Sequence, residues 1–147
     1  MLIACILMTA CTAKDASLKS VADYRAEATA VVTAIDADSS LQLVNDDSVV
    51  FVDVREAGEL ADNGKIEGAV HIPRGVLEFY IDPASGMHNE IFSSDKKIVF
   101  YCASGGRSVL AAKLAIDMGV KDAAHLDGGF AAWAGAGGAI ELSTKPE

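Results

Sequence analysis

Residues 101–108 have the sequence Tyr101-Cys102-Ala103-Ser104-Gly105-Gly106-Arg107-Ser108, and they lie between two segments of regular pattern. The apolar run 98–100 before them predicts a buried strand, and the largely apolar run 109–118 after them predicts a helix. A cysteine that follows a strand and precedes small residues and a helix N-terminus is typical of an anion-binding loop around a nucleophilic sulfur. The stretch therefore predicts chemistry on a sulfur atom or on an oxyanion.

The candidate functional residues all lie in this loop. Cys102 is the predicted nucleophile, because a helix N-terminus and a nearby cation lower the pKa of a thiol and so favour the reactive thiolate. Arg107 is the predicted anion-binding residue, because its planar guanidinium donates a fork of hydrogen bonds. The other residues predicted to bind substrate, through a ring of inward N–H groups, are Ala103, Ser104, Gly105, Gly106 and Ser108.

The composition is that of one acidic globular domain. The chain has 147 residues, of which 51% are apolar, and its formal net charge is −9. This length suffices for a substantial core. Binding to nucleic acid or to an anionic membrane surface requires a basic face, so neither is an expected partner.

The order of segments predicts an α/β fold with a mainly parallel sheet of five strands. Predicted strands are 31–35, 49–54, 69–72, 97–101 and 123–126, and predicted helices are 15–30, 40–44, 74–81, 109–118 and 130–134. Residues 36–38 offer N-caps for the second of these helices. Residues 82–95 are predicted to form a long polar loop. Ligands of such sheets bind beyond the carboxyl ends of the strands, which is where the sequence places Cys102.

The first eleven residues differ from the rest of the chain, since none has a charged side chain. An apolar segment followed by small residues is typical of a signal peptide. Residues 8–11, Met-Thr-Ala-Cys, also resemble a bacterial lipobox, in which the cysteine is lipidated. We therefore expect a protein of the cell envelope or periplasm that touches a membrane only through a lipid on Cys11. The alternative is a cytoplasmic protein with a short apolar N-terminal segment.

Cysteine and histidine positions argue against a disulfide or a metal site. Two of the three cysteines lie in the leader, so cleavage before Cys11 and lipidation of Cys11 would leave Cys102 as the one free thiol. The histidines, at positions 71, 88 and 125, are scattered, and none stands at ligand spacing from Cys102. No metal or other cofactor is expected.

Four blocks, taken in order, resemble a single-domain rhodanese, and together they cover about residues 31–140. The blocks are 52–56 (VDVRE), 64–73 (GKIEGAVHIP), 102–107 (CASGGR) and 126–133 (LDGGFAAW). The second block departs from the family pattern at Lys65 and Glu67, where the family has histidine and proline. The resemblance implies a three-layer fold. The chain is then divided into a leader at 1–11, a helical stalk at 12–30, a rhodanese-like domain at 31–140 and a tail at 141–147.

The resemblance also implies a sulfurtransferase that needs no cofactor. In rhodaneses a cysteine thiolate attacks the outer sulfur of a donor such as thiosulfate, and sulfite leaves. The persulfide, here on Cys102, then passes its sulfur to a thiophilic acceptor, which is cyanide in assays and a small thiol or a thioredoxin-like protein in cells. The donor, the acceptor and the oligomeric state are not specified by the sequence.

Two alternatives stay open. The domain could bind a partner, or carry sulfur for it, without free turnover. Phosphatases and arsenate reductases of related fold are less favoured, because they resemble C-x5-R, whereas four residues separate Cys102 from Arg107.

Several polar residues near the four blocks are predicted to be structural. Asp53 and Arg55 are expected to form an ion pair or cap, and Trp133 is expected in the core. Residues predicted to have no role in turnover are His71 and His125, and those predicted to be solvated helix charges are Glu56 and Glu59.

Overall fold

A parallel sheet forms the centre of residues 18–142, the part of the chain that the computed structural model describes. The strands are β1 Thr33–Ile35, β2 Val49–Asp53, β3 Lys65–Ile66, β4 Val70–His71, β5 Lys97–Tyr101, β6 Ala123–Leu126 and β7 Ile140–Glu141. Five of them form the sheet, in the order β1-β6-β5-β2-β4, and every pairing is parallel. The predicted α/β fold with a five-stranded parallel sheet is confirmed, and Cys102 follows the central strand β5.

Helices cover both faces of this sheet. They are α1 Val21–Thr29, α2 Ala37–Leu43, α3 Ala57–Asn63, α4 Leu77–Ile81, α5 Gly106–Asp117 and α6 Gly129–Gly135. One apolar cluster contains residues of α1, α4 and α5, and the other contains residues of α2 and α6, including the fully buried Trp133. These two clusters give the three-layer arrangement.

Local sequence explains the two elements that flank the site. Strand β5 is apolar except at its first residue and is buried from Ile98 onward, as expected for a strand with helices on both faces. Helix α5 buries Val109, Ala111, Ala112 and Ala115 against the sheet. It ends before Gly119, which has φ +97, a left-handed conformation that ends helices and favours glycine.

The predicted stalk segment contains α1, which packs against the domain. A capping box between Ser20 and Asp23 fixes the start of the helix, since each side chain accepts a hydrogen bond from the other's backbone. The helix therefore begins at Val21 and not at residue 15. Ala28 is fully buried, and α1 lies along α5. The remainder of the predicted stalk, residues 12–17, lies outside the described residues.

Several predicted boundaries are wrong for physical reasons. Helix α2 begins at Ala37, three residues before the predicted stretch 40–44, because Asp36, the first of the N-caps offered at 36–38, accepts a hydrogen bond from the Ser39 N–H at 2.8 Å. Helix α5 begins at Gly106 inside the predicted loop. The predicted helix 74–81 is a 3₁₀ turn, Arg74–Val76, followed by α4, and the predicted loop 82–95 contains a 3₁₀ turn at Glu90–Ser93.

Three elements have no bounds in the sequence-based prediction, although Glu56 and Glu59 were expected to lie on a helix. They are α3 and the strands β3 and β7, which form a separate antiparallel ribbon. A salt bridge of 2.8 Å between Lys65 and Glu141 fastens the ribbon. Glu141, which the sequence assigns to the tail, is thus part of a strand.

The predicted leader at 1–11 lies outside the described residues, as do residues 143–147. Within residues 18–142, no helix is both long enough and apolar enough to cross a membrane.

Candidate active site

The sulfur of Cys102 lies at the base of the loop that joins β5 to α5. The residue is only 1% exposed, and the Gly105 N–H donates a hydrogen bond to Sγ at 3.2 Å. Gly105 has φ +93, so glycine provides at low cost the left-handed conformation that directs this N–H at the sulfur. The side chains of Ala103 and Ser104 are exposed on the outside of the loop. The sequence therefore predicted correctly that the thiol lies under a loop of small residues.

The surroundings of Cys102 lower the pKa of its thiol below the ordinary value. Burial opposes ionisation and is the largest single influence. It is outweighed together by the backbone N–H groups of Ser108, Ser104 and Arg107 and by the Ser108 hydroxyl, all of which stabilise the thiolate. A thiol in this position is a better nucleophile at neutral pH than a free cysteine.

The N-terminus of α6 holds the loop from outside. The Phe130 N–H donates to the Cys102 carbonyl at 2.7 Å, and the Ala131 N–H donates to the Ala103 carbonyl at 3.1 Å. With these carbonyls engaged outside the ring, the N–H groups of the following residues are free to face the sulfur. The N-terminus of α6 and the loop that follows β5 are thus fixed to each other by main-chain hydrogen bonds.

Gly129 permits this close approach. A Cβ at this position would lie 2.4 Å from the Cys102 carbonyl oxygen and 2.9 Å from the Gly105 nitrogen. Its φ of +61 also lies in the left-handed region. Both the close contacts and the backbone conformation therefore require glycine at this position.

Arg107 is held by Glu59 of α3. Its two terminal nitrogens donate to the two carboxylate oxygens, each at 2.7 Å. The hydrogen bonds to Arg107 lower the pKa of Glu59 to about 2, and Glu59 in turn raises the pKa of Arg107. The prediction that Glu59 is a solvated helix charge is therefore wrong, because its carboxylate neutralises and orients the arginine of the loop.

Ser108 connects the sulfur to His125 of β6. The Ser108 hydroxyl lies 3.7 Å from Sγ, donates to the Gly105 carbonyl at 3.1 Å and lies 3.5 Å from His125 Nδ1. Burial lowers the pKa of His125 below its ordinary value, which favours the neutral imidazole. Sequence reasoning missed this contact, since the histidine stands on a different strand and no local pattern points to it.

Asp53 and Arg55 form the predicted structural ion pair. Arg55 Nη2 donates to Asp53 at 2.6 Å and to the Gly64 carbonyl at 2.7 Å, and both side chains are buried. The guanidinium also lies 4.1 Å from the centre of the Phe130 ring. The pair joins the end of β2 to Gly64 at the end of α3, and Arg55 contacts Phe130 of α6, so the pair supports the position of α6 beside the loop.

The predicted site residues thus come together around one sulfur atom, from 102 to 108, and Glu59, Gly129 and His125 are added by the structure. Among residues 18–142, no three side chains of histidine, cysteine, aspartate or glutamate lie close enough together to hold a metal ion.

Comparison with known proteins gives the family of the chain. Residues 36–136 match the family model described as Rhodanese-like domain. A sulfurtransferase of Allochromatium vinosum is 32% identical over 105 residues, which are 71% of this chain and 90% of the relative. Mouse thiosulfate sulfurtransferase/rhodanese-like domain-containing protein 3 is 30% identical over 96 residues, which are 62% of this chain and 61% of that protein.

One solved structure is markedly similar. RPA3614 of Rhodopseudomonas palustris, a protein of unknown function described as a possible tyrosine phosphatase, superposes with a TM-score of 0.81 at 45% identity. The match covers 84% of this chain and 95% of that one.

A cysteine loop at the carboxyl end of a central parallel strand, within a matched domain of this kind, defines the class. The chain belongs to the rhodanese family. Within that family its relatives include sulfurtransferases, and the sequence contains one rhodanese-like domain.

Proposed function

We propose that the protein transfers a sulfane sulfur from thiosulfate or a related donor to a thiophilic acceptor through a persulfide on Cys102. One observation carries the proposal: a buried thiol with a lowered pKa lies 3.2 Å from an N–H of its own loop, at the start of α5. That environment stabilises negative charge on the sulfur before the reaction and on the outer sulfur of the persulfide after it.

The proposed reaction has two displacement steps. In the first, the Cys102 thiolate attacks the sulfane sulfur of thiosulfate, a new S–S bond forms, and the S–S bond of thiosulfate breaks so that sulfite leaves with the electron pair. In the second, an acceptor thiolate or cyanide attacks the outer sulfur, and the Cys102 thiolate leaves. The net charge on the cysteine sulfur is restored, so no cofactor takes part.

The acceptor we propose is a small thiol or a thioredoxin-like protein. Cys102 is the only free cysteine among residues 18–142, so this part of the chain contains no second thiol that could accept the sulfur. The persulfide therefore has to meet an acceptor from outside.

Intact mass spectrometry after incubation with thiosulfate tests the proposal. We expect one added sulfur on the wild-type protein, none on the matched Cys102→Ser variant, and loss of the added sulfur on treatment with cyanide. No added sulfur on the wild type would overturn the proposal. An added sulfur that neither cyanide nor any thiol removes would favour the alternative, a domain that carries sulfur for a specific partner.

A phosphatase is the second candidate, because the similar Rhodopseudomonas palustris protein is described as a possible tyrosine phosphatase. Against it, four residues separate Cys102 from Arg107, and the arginine fork is held by Glu59. We expect no hydrolysis of p-nitrophenyl phosphate above that of Cys102→Ser.

We also propose that the mature protein is exported and lipidated at Cys11, with the cytoplasm as the alternative location. Two or more acyl chains anchor a protein firmly, whereas one chain does not. Cys11→Ser should release the protein from the membrane fraction of its host. An intact N-terminal Met1 on a protein found in the cytosol would contradict export.

A further inference from the structure

The loop arginine has limited capacity to bind an anionic donor. Both terminal nitrogens of Arg107 donate to Glu59 at 2.7 Å, and the carboxylate balances the charge of the guanidinium. The whole chain carries a formal net charge of −9. A second cation near the sulfur would therefore strengthen the binding of a doubly charged donor such as thiosulfate, beyond what Arg107 provides beside Cys102.

Arg25 of α1 supplies such a cation. Its guanidinium lies over Gly106, the first residue of α5: a Cβ built on Gly106 would stand 3.8 Å from Arg25 Cζ and 3.9 Å from Nε. The guanidinium thus lies one methyl layer away from the backbone of Gly106, beside the N-terminus of α5. Arg25 is exposed and, among residues 18–142, has no hydrogen-bond or salt-bridge partner.

The charge of Arg25 reaches the interior of the site. The pKa of His125 is lowered mainly by burial, and the positive charge of Arg25 lowers it further while Asp127 opposes the shift. His125 is the same residue that contacts Ser108 beneath Cys102. His125 therefore lies within range of the charges of both Asp127 and Arg25.

We propose that Arg25 is a further substrate-binding residue, whose guanidinium holds the oxyanion end of the donor, a sulfonate or a group of similar shape and charge, at the entrance of the Cys102 loop. The inference rests on the proposed sulfur transfer. Arg25 lies outside the matched domain at residues 36–136, so this contact belongs to the N-terminal extension of the chain and not to the family domain.

The geometry suits this role. An arginine binds planar or tetrahedral oxyanions through paired N–H groups, and its charge is permanent. The donor would lie with its outer sulfur towards Sγ and its oxygens towards α1. Packing of Ala28 against the domain keeps α1, and with it Arg25, at the loop.

A comparison of two alkylating reagents tests the inference without sulfur transfer. Iodoacetate is an anion and iodoacetamide is neutral, and the two are nearly equal in size. The ratio of their rate constants at Cys102, measured by peptide mass spectrometry, cancels differences in thiolate fraction and reports the local charge at the loop entrance. In Arg25→Gln we expect this ratio to fall about fivefold at low salt, the effect of one charge at contact distance in water, and to fall less at 1 M salt.

Two matched variants control the comparison. Lys121→Gln removes the same charge from an exposed pair with Asp95 and should leave the ratio unchanged. Arg25→Lys keeps the charge and should keep most of the ratio. An unchanged ratio in Arg25→Gln would overturn the inference. An equal fall of the ratio in Arg25→Lys would also overturn the inference. Lysine keeps the positive charge, so the fall would then come from a change in how α1 packs against the domain.

Steady-state kinetics with thiosulfate complete the test. Arg25→Gln should raise KM for thiosulfate about fivefold with little change in kcat at saturation, since the charge acts on binding of the anion. If the wild type transfers no sulfur, the proposed function fails, while the alkylation ratio still decides whether Arg25 attracts anions to Cys102.

Discussion

The guanidinium of Arg107 and the carboxylate of Glu59 face each other fork to fork, with both N–O distances at 2.7 Å, although the residues are 48 positions apart in the sequence. The same carboxylate accepts a hydrogen bond from the Glu56 N–H at 3.0 Å at the start of α3. Glu59 thus ties the N-termini of two helices together beside the Cys102 loop. The arginine of the loop is oriented by this pair before any substrate arrives.

Glu59→Gln should destabilise the protein in a pH-dependent way. The pKa of Glu59 is lowered from 4.5 to about 2 in the folded state. The stabilisation is therefore present above about pH 4.5 and is lost as pH falls towards 2. Because both side chains are partly exposed, we expect a loss of no more than about 1 kcal/mol in the free energy of unfolding at pH 7. Urea unfolding of both proteins between pH 2 and pH 7 measures it.

Asp117→Asn is the control for that prediction, because it breaks the exposed pair with Lys113 at the far end of α5. We expect a loss of about 0.3–0.5 kcal/mol at pH 7. A difference between wild type and Glu59→Gln that stays constant down to pH 2 would contradict the role of the Arg107 pair.

Cys102→Ser should abolish sulfur transfer and leave the fold intact. The hydroxyl keeps the size of the side chain and can use the hydrogen bond from Gly105, but it is a poor nucleophile towards sulfur. We expect thiosulfate:cyanide activity at background and a change in unfolding free energy of no more than about 1 kcal/mol. Activity close to that of the wild type would rule out a persulfide on Cys102.

Ser108→Ala should raise the pKa of the Cys102 thiol. The Ser108 hydroxyl donates to the Gly105 carbonyl while Cys102 is a thiol, and it can turn to donate to Sγ, 3.7 Å away, once the sulfur is a thiolate. Its loss should shift the pH profile of iodoacetamide alkylation to higher pH and slow alkylation several-fold at pH 7. It should also cost about 1–3 kcal/mol of stability, since the Gly105 carbonyl loses a buried donor.

Ser40→Ala is the matched control for Ser108, because Ser40 is also a fully buried serine of a helix. Within residues 18–142 its hydroxyl has no hydrogen-bond partner. The substitution should therefore leave the alkylation profile unchanged and stability equal or higher. An unshifted profile in Ser108→Ala would show that the hydroxyl does not act on the thiol.

Gly129→Ala should disrupt the loop. The added Cβ would lie 2.4 Å from the Cys102 carbonyl oxygen, so α6 or the loop has to move. A displacement of about 1 Å at the reacting group can reduce the rate about a hundredfold. Thermal unfolding and sulfur-transfer kinetics measure both effects. Gly135→Ala, in the same helix with no atom within 4 Å of the new Cβ, should preserve activity and stability.

An extra glycine between Gly105 and Gly106 tests the size of the ring. The insertion gives the spacing C-x5-R and displaces N–H groups that face the sulfur, so we expect sulfur transfer to fall about a hundredfold. We also expect this variant to gain a weak phosphatase activity, measured as hydrolysis of p-nitrophenyl phosphate. Unchanged turnover of thiosulfate would show that the ring size does not determine the chemistry.

The sequence predicted the strands of the central sheet well, because buried parallel strands such as β2 and β5 are continuous apolar runs. It did not predict β3 and β7, which have two residues each and exist only because they pair with one another across the fold. It placed Glu56 and Glu59 on a helix but gave no bounds for α3, a seven-residue polar helix whose start is defined by capping contacts. Such elements depend on tertiary contacts, which no local pattern contains.

The site, like the fold, was predictable where it depends on local sequence and unpredictable where it depends on tertiary contacts. The loop around Cys102 is one continuous segment, so its motif could be recognised directly. The partners of that segment, Glu59, His125 and Arg25, stand on three other elements, and each looks ordinary in its own surroundings. Only the fold brings these charges and hydrogen bonds to the sulfur.

The main-chain hydrogen bonds from Phe130 and Ala131 to the carbonyls of Cys102 and Ala103 have a consequence for engineering. Because backbone atoms set the shape of the ring, the outward side chains of Ala103 and Ser104 are not needed to maintain it. The side chains at these two positions can therefore be changed while the backbone of the loop keeps its shape. A library randomised at Ala103 and Ser104 could therefore be selected for new sulfur donors while the nucleophile keeps its reactivity.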